Sequence, residues 1–254
     1  MTRGDYFKGK RVLITGASSG IGAALARDLG QAGAVLLLHG RDVTRLQTVA
    51  EFAITTPRVI LGDLCDPDTV TQISNVINET GLDIAILNAG TSNYNSGDHF
   101  DAAHFWSLME KNVKTMVDCA ERCIPTLLHS HGQLVLMSSL AAYGGLPQSA
   151  GYGASKAAIR ILAQSLDIDL RSKGVAVSCV CPGFVKTPLT DQNRFSMPFL
   201  MLVDSASRTI LDGIQHKKHE IHFPKRFSLL LKVIMSLPAS WQHFLVSLTA
   251  NYAN

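Results

Sequence analysis

The sequence predicts an α/β protein: a doubly wound, mainly parallel sheet of seven strands with helices on both faces. Three observations predict it. Short runs of almost unbroken apolar residues recur along the chain, and strands that do not alternate polar and apolar are buried on both faces. Helical stretches separate most successive runs, as parallel neighbours require. Finally, 254 residues with 46% hydrophobic and 17% charged side chains can bury a large core, which excludes a disordered chain or a collagen-like fibre.

The elements follow in order. Val12-Leu13-Ile14 is the first strand, and a glycine-rich stretch leads into a helix over 23–32. Val35 to Leu38 is the second strand, followed by a helix over 43–52. After Val59-Ile60-Leu61, Asp66 caps a helix with Pro67 in its first position, running to about Glu79. Ile84 to Leu87 precedes a polar loop and a long helix over about 101–129. Leu134 to Met137 leads to a helix from Tyr152 to Lys173, then to the strand Val175 to Val180. Glu220 to Phe223 supplies a seventh strand. No repeat, low-complexity tract or flexible linker divides the chain, so residues 1–254 read as a single domain.

Composition narrows the function. The net charge of +3 is too small to argue for nucleic acid. Five cysteines, an odd count in apolar or helical surroundings, point to a reducing cytosol rather than a disulfide framework. Met1 to Arg11 holds no apolar signal core, and no apolar run reaches the roughly 18 residues of a membrane span.

The stretch from Thr15 to Gly22 follows the first strand and opens the first helix. Gly16, Gly20 and Gly22 allow a tight turn and bring the backbone N–H groups of Ser18, Ser19 and Ile21 towards a pyrophosphate. A carboxylate ending the second strand would accept from a ribose 2′-hydroxyl and favour NAD(H). Gly40 stands there instead, followed by Arg41, whose guanidinium matches a 2′-phosphate, so the sequence favours NADP(H) over NAD(H). Asp42 falls one place late and starts the next helix, and His39 reads as a strand-end residue without a role.

Tyr152 and Lys156, spaced i, i+4, share one helix face. Alone, such a pair is a surface tyrosine and a solvated lysine. Its surroundings change that reading, because Ser139 lies at the carboxyl edge of the fifth strand, where open α/β sheets bind ligands. Asn112 lies in the long helix before that strand.

Together the motifs resemble the short-chain dehydrogenase/reductase family. They are Thr15-Gly-Ala-Ser-Ser-Gly-Ile-Gly22, Asp63-Leu64, Asn88-Ala89-Gly90, Asn112, Ser139, Tyr152-Gly-Ala-Ser-Lys156 and Pro182-Gly183-x-x-x-Thr187, in the family's order over about residues 10–190. Leu87 replaces the first Asn of the family's usual Asn-Asn-Ala-Gly. The resemblance implies a Rossmann-type fold and hydride transfer between nicotinamide and a carbonyl or alcohol carbon. It implies that Tyr152 is the acid or base, with Lys156 lowering its pKa and binding the nicotinamide ribose. Ser139, with Ser138 as the lesser alternative, would hold the substrate oxygen, and Asn112 would anchor a water in a proton relay. Asp63 and Leu64 would meet the adenine, and Asn88, Ala89 and Gly90 the adenosine ribose. The loop from Pro182 and Gly183 would hold the carboxamide through the Val185 backbone and the Thr187 hydroxyl.

Other features read as structural. Cys119 and Cys123, and Cys179 and Cys181, lack zinc-site spacing and are read as buried thiols with no metal. Lys217-Lys218-His219 reads as a solvated helix end. Residues 188–218 read as a substrate lid, whose apolar run from Phe195 to Leu202 either receives a hydrophobic substrate or completes the core. Residues 225–254 form a helical extension, for which packing on the subunit or on a second copy is favoured over a membrane surface. The expected protein is a carbonyl reductase forming homodimers or homotetramers. The alternatives are an oxidative alcohol or hydroxysteroid-type dehydrogenase, and a non-catalytic NADP-binding sensor or scaffold.

Overall fold

The apolar runs pair into one seven-stranded sheet in the computed structural model, which describes residues 3–92, 98, 100–192 and 197–250. The strands are β1 (Arg11–Thr15), β2 (Val35–Gly40), β3 (Arg58–Leu61), β4 (Ile84–Leu87), β5 (Gln133–Met137), β6 (Ala176–Pro182) and β7 (Glu220–Phe223). Their order is β3-β2-β1-β4-β5-β6-β7, and every neighbouring pair is parallel. Ile14 lies opposite Leu38 on one side and Ile86 on the other, so the centre of the sheet is aliphatic. β4 and β5 are buried along their whole length, whereas the edge strand β3 exposes Val59 and Leu61.

The chain leaves β1 in one direction to lay down β2 and β3, then returns to add β4 to β7 on the other side. With right-handed crossovers, that reversal puts helices on both faces and opens a crevice beyond the carboxyl ends of β1 and β4. The helices are α1 (Arg3–Phe7), α2 (Gly20–Gln31), α3 (Val43–Ala50), α4 (Pro67–Thr80), α5 (Ala102–Met109), α6 (Thr115–Ser130), α7 (Ala150–Arg171), α8 (Val203–Gln215), α9 (Lys225–Met235) and α10 (Ala239–Ala250). Asp66 and Pro67 open α4 as their types require, and Gly81, at φ +76°, ends it. Asp42 caps α3, its carboxylate accepting from Arg45 N–H at 3.0 Å.

Two expectations need correction. The long helix expected over about 101–129 is interrupted by a π-helical turn, Glu110–Lys114, between α5 and α6. Within the expected lid of 188–218, α8 belongs to the helix layer: it packs on α2, with Arg27 2.8 Å from Asp204 and Ser207 donating to Asp28 at 2.7 Å. Phe195 and Ser196, from the apolar run of that segment, lie outside the described residues.

All five cysteines are free, and Cys119, Cys123, Cys179 and Cys181 are buried; burial pushes the Cys119 thiol up to about 12. Among the described residues no group of His, Cys, Asp and Glu is placed to hold a metal, and no helix is long and apolar enough to cross a membrane. Lys217, Lys218 and His219 are exposed at the end of α8, with Lys218 paired to Asp212 at 2.8 Å and His219 to Asp167.

Candidate active site

The crevice at the reversal point is a cleft of about 480 Å³. Its floor begins with the turn from β1 into α2. Gly16 and Gly20 adopt φ of +67° and +54°, which only glycine takes without strain. A Cβ on Gly22 would collide with the Gly16 carbonyl and lie 2.6 Å from Asn88 Nδ2, so this helix start tolerates no side chain there. Asn88 fastens the turn to the end of β4: Nδ2 donates to the carbonyls of Thr15 and Gly16 at 3.1 and 3.2 Å. Thr15 Oγ1 accepts from the N–H groups of Asn88 and Ala89 at 3.0 and 3.1 Å. The Asn88 amide is therefore committed to the loop as well as being at the cleft wall.

On the other wall, Ser139 ends β5 and α7 brings in Tyr152 and Lys156. Ser139 Oγ accepts from Ala141 N–H at 3.1 Å, and a side-chain hydrogen bond joins it to Tyr152. Ser138 is turned inward and donates to the Lys156 carbonyl at 2.7 Å, so Ser139 is the serine that faces the tyrosine. Lys156 is buried, its Nζ 5.8 Å from the Tyr152 ring centre and donating to the Met137 carbonyl at 3.0 Å. Gly90 clears space for it, because a Cβ there would stand 3.3 Å from Nζ.

A family model described as short chain dehydrogenase matches residues 10–197, a span that holds both walls. The chain belongs to the short-chain dehydrogenase family. An uncharacterized oxidoreductase of Myxococcus xanthus is 34% identical over 235 residues, 90% of this chain and 93% of that one. Another uncharacterized oxidoreductase, from Staphylococcus epidermidis, is 33% identical over 191 residues, 74% of this chain and 83% of that one. Among solved structures, a short-chain dehydrogenase from Sphingobium yanoikuyae in complex with NADPH superposes with TM-score 0.79 at 26% identity, covering 89% of this chain and 94% of its own. A short chain dehydrogenase/reductase family protein gives 0.77 at 26% identity, covering 85% and 95%. The chain is thus an oxidoreductase of the short-chain dehydrogenase type, on that family's Rossmann-type sheet.

The catalytic and cofactor-binding residues expected from the sequence of this short-chain dehydrogenase line the cleft, except Gly22 and Asn112. Asn112 lies fully buried on the π-helical turn, and its side chain is completely engaged. Oδ1 accepts from Thr91 N–H at 2.8 Å, while Nδ2 donates to the Thr91 carbonyl and to Ser155 Oγ, both at 3.0 Å. Ser155 in turn donates to the Tyr152 carbonyl at 2.7 Å. Asn112 thereby ties the loop after β4 to the helix that carries Tyr152.

Burial raises the Tyr152 phenol above its ordinary value, and the Ser139 hydrogen bond pulls partly the other way. Lys156 is itself lowered to about 8, because burial penalises its ammonium. At the far end of the cleft, Arg41 is exposed and reaches Asp63 at 3.3 Å. The Cys65 N–H first, and then Arg41, hold the Asp63 carboxyl below its usual range. His39 is buried beside them and lowered to about 4, its Nε2 3.1 Å from the Gly62 carbonyl. It lines the cleft, which its reading as a strand end without a role did not anticipate.

Two residues that shape the site escaped the sequence reading. Thr190 accepts from Thr187 N–H at 2.9 Å and donates to the Val185 carbonyl at 2.7 Å, shaping the loop after β6. Its signal was slight, a hydroxyl three residues beyond Thr187. Ser155, inside the Tyr152-to-Lys156 motif, was visible but had no assigned partner.

The buried ammonium has a stability cost that can be measured. Lys156→Met removes a charge whose burial costs on the order of 3 kcal/mol. A lowered lysine pKa means the folded chain binds fewer protons than the unfolded one between about 8 and 10.5, so this cost is full below about 8 and fades as pH rises to 10.5. Thermal melts should show the variant more stable than the parent at pH 7, with the difference closing by pH 10.5. An unchanged or lowered melting temperature at pH 7 contradicts this.

Proposed function

We propose that this short-chain dehydrogenase is an NADP(H)-dependent reductase of a hydrophobic ketone or aldehyde. The observation that carries the proposal is the meeting of Tyr152, Ser139 and Lys156 at the carboxyl edge of the sheet, opposite a backbone cradle that only glycine can form. The residues fit a dinucleotide. The φ-positive Gly16 and Gly20, with the Ser18, Ser19 and Ile21 backbone at the start of α2, would take the pyrophosphate. Asp63 and Leu64 would take the adenine, and Ala89, Gly90 and the Asn88 backbone the adjoining ribose. Pro182, Gly183, Val185 and Thr187 would take the carboxamide, with Lys156 on the nicotinamide ribose. When bound, the cofactor supplies the hydride.

The protein's own groups supply the rest. Ser139 holds the carbonyl oxygen by donating a hydrogen bond, in the manner of an oxyanion stabiliser. Tyr152 gives its phenolic proton to that oxygen as it becomes an alkoxide. A phenol kept protonated by burial is suited to that donation. Lys156 offers an ammonium one helical turn away, and Asn112 holds the Thr91 loop and Ser155 in register, as a positioning residue. Asn112 carries a proton-relay water in this reading through its backbone, since its side chain is already spent.

Arg41 supports NADP(H), because it is exposed at the end of β2 and bonded only to a partly exposed carboxylate, from which a 2′-phosphate can draw it. The NADPH complex of the Sphingobium yanoikuyae relative accords with that choice. For a hydrophobic substrate, support comes from Val185, Pro188 and Leu189, which line the cleft along the loop after β6. In this reading the lid is built from the segment that begins at residue 188, where Leu200 and Leu202 are exposed.

With a panel of carbonyl compounds and NADPH absorbance as readout, Tyr152→Phe should lose about 10²–10⁴-fold in kcat while NADPH affinity stays within about twofold. Turnover equal to the parent's contradicts the assignment, and a chain that binds NADPH but turns over no carbonyl is the non-catalytic sensor. Arg41→Ala should cut the preference for NADPH over NADH by roughly tenfold to a hundredfold in kcat/KM, the loss of one charge-assisted pair. An unchanged preference would show that the 2′-phosphate is read elsewhere or not at all.

A further inference from the structure

Beyond β7 the chain adds α9 and α10, which the catalytic reading does not use. α9 is fastened by its inner side. Leu231 and Ser228 are buried, Ser228 Oγ lies 2.6 Å from His222 Nδ1, and Lys232 Nζ is 2.8 Å from Glu220. Glu220 also accepts from Arg160 at 2.9 Å and Tyr143 at 3.0 Å, so its charge is taken up within the fold. Met235 fills the space over Gly144, where a Cβ would collide with its sulfur. Gln242 Nε2 donates to the carbonyls of Met235 and Leu237 at 3.0 and 2.7 Å, which closes the turn and sets α10 beside α9.

The outer side is different. Arg226, Leu229, Leu230 and Val233 share one face of α9 at helical spacing, and Trp241, Phe244 and Leu248 continue the apolar surface on α10. These six apolar side chains are each between 51% and 63% exposed. No described side chain of α10 is buried. Between residues 221 and 254 the sequence holds Lys225, Arg226 and Lys232 and no Asp or Glu. The charged side chains that the α9–α10 hairpin itself carries are therefore all positive.

An exposed apolar surface of this kind marks a contact with something else. We propose that the α9–α10 hairpin is a docking surface for an anionic lipid bilayer. At 11 and 12 residues the helices are too short to span a membrane and suit a position in its interfacial plane. Leu229, Leu230, Val233, Phe244 and Leu248 enter the acyl boundary, and Trp241 offers the amphipathic ring that settles at headgroup level. Lys225 and Arg226 meet the anionic headgroups. A second copy fits less well. Isologous pairing through this face would bring the positive side chains of two copies into one interface with no Asp or Glu of the hairpin to pair them. The proposal stands independently of the reductase reading, because no group of the cleft enters it.

Flotation of the full chain with phosphatidylglycerol/phosphatidylcholine vesicles tests the proposal. Parent protein should float with the anionic vesicles, float much less with pure phosphatidylcholine, and be released by high salt. The combined variant Leu230→Ser, Val233→Ser, Trp241→Ser, Phe244→Ser should bind roughly tenfold more weakly or worse. Its altered side chains are exposed, so its melting temperature should match the parent's. Lys225→Glu with Arg226→Glu, which leaves the apolar face intact, should weaken binding to anionic vesicles by a similar factor and keeps the test open if the first variant misfolds. The proposal is overturned if the parent does not float with anionic vesicles, or if both variants float as it does. It is equally overturned if the parent is a dimer that the serine variant dissociates while vesicles capture neither, which would assign the face to a second copy.

Discussion

A lysine ammonium held in the interior beside the end of a β-strand is the constraint around which the cleft is arranged. Lys156 lies behind Tyr152 with its Nζ on the Met137 carbonyl, and burial lowers it to about 8. Such a group is expensive to keep, and its surroundings are specific to it. Gly90 leaves room for Nζ, Ser138 holds the Lys156 carbonyl, and Asn112 and Ser155 brace the helix one turn earlier. Structure that costs stability at one point and is braced from several directions is the pattern expected of a functional site.

The opposite wall is built by close approach rather than by charge. The β1–α2 turn and the end of β4 come so near that Gly22 can carry no side chain, and Asn88 bonds across the junction. Sheet order explains why the two walls meet. The carboxyl ends of β1 and β4 are neighbours where the chain reverses direction, and β5 and β6 bring Ser139 and the loop from Pro182 alongside. The cradle and the Tyr152 helix are thus far apart in sequence but share one edge of one sheet.

Much of this was legible because buried parallel strands leave unbroken apolar runs, and because glycines at a βα turn, a serine at a strand end and a Tyr-to-Lys spacing occur together in one order. The parts that were not legible are contacts that depend on packing. Nothing between Glu110 and Lys114 is a helix breaker, so the π-helical turn that aims Asn112 left no mark in the residue types. The Lys156 bond to a main-chain carbonyl cannot be read from a side-chain pattern. The burial that raises the Tyr152 phenol is not reported by spacing either. Likewise the segment after Thr187 read as a lid throughout, yet the apolar face of α8 belongs to the layer on α2. The helical extension was expected to pack on its own subunit or on a second copy; the inner side of α9 packs on the subunit, while Leu229, Leu230 and Val233 on its outer side and Trp241, Phe244 and Leu248 on α10 are exposed.

The account stands on the position of the nicotinamide relative to the two helix side chains. A crystal structure of the chain grown with NADPH measures it directly. The account predicts the nicotinamide ring against the Tyr152 hydroxyl, Lys156 Nζ within hydrogen-bond reach of the attached ribose, and Arg41 on the 2′-phosphate. A nicotinamide seated away from Tyr152 and Lys156, with the pyrophosphate nonetheless at the glycine turn, would contradict it.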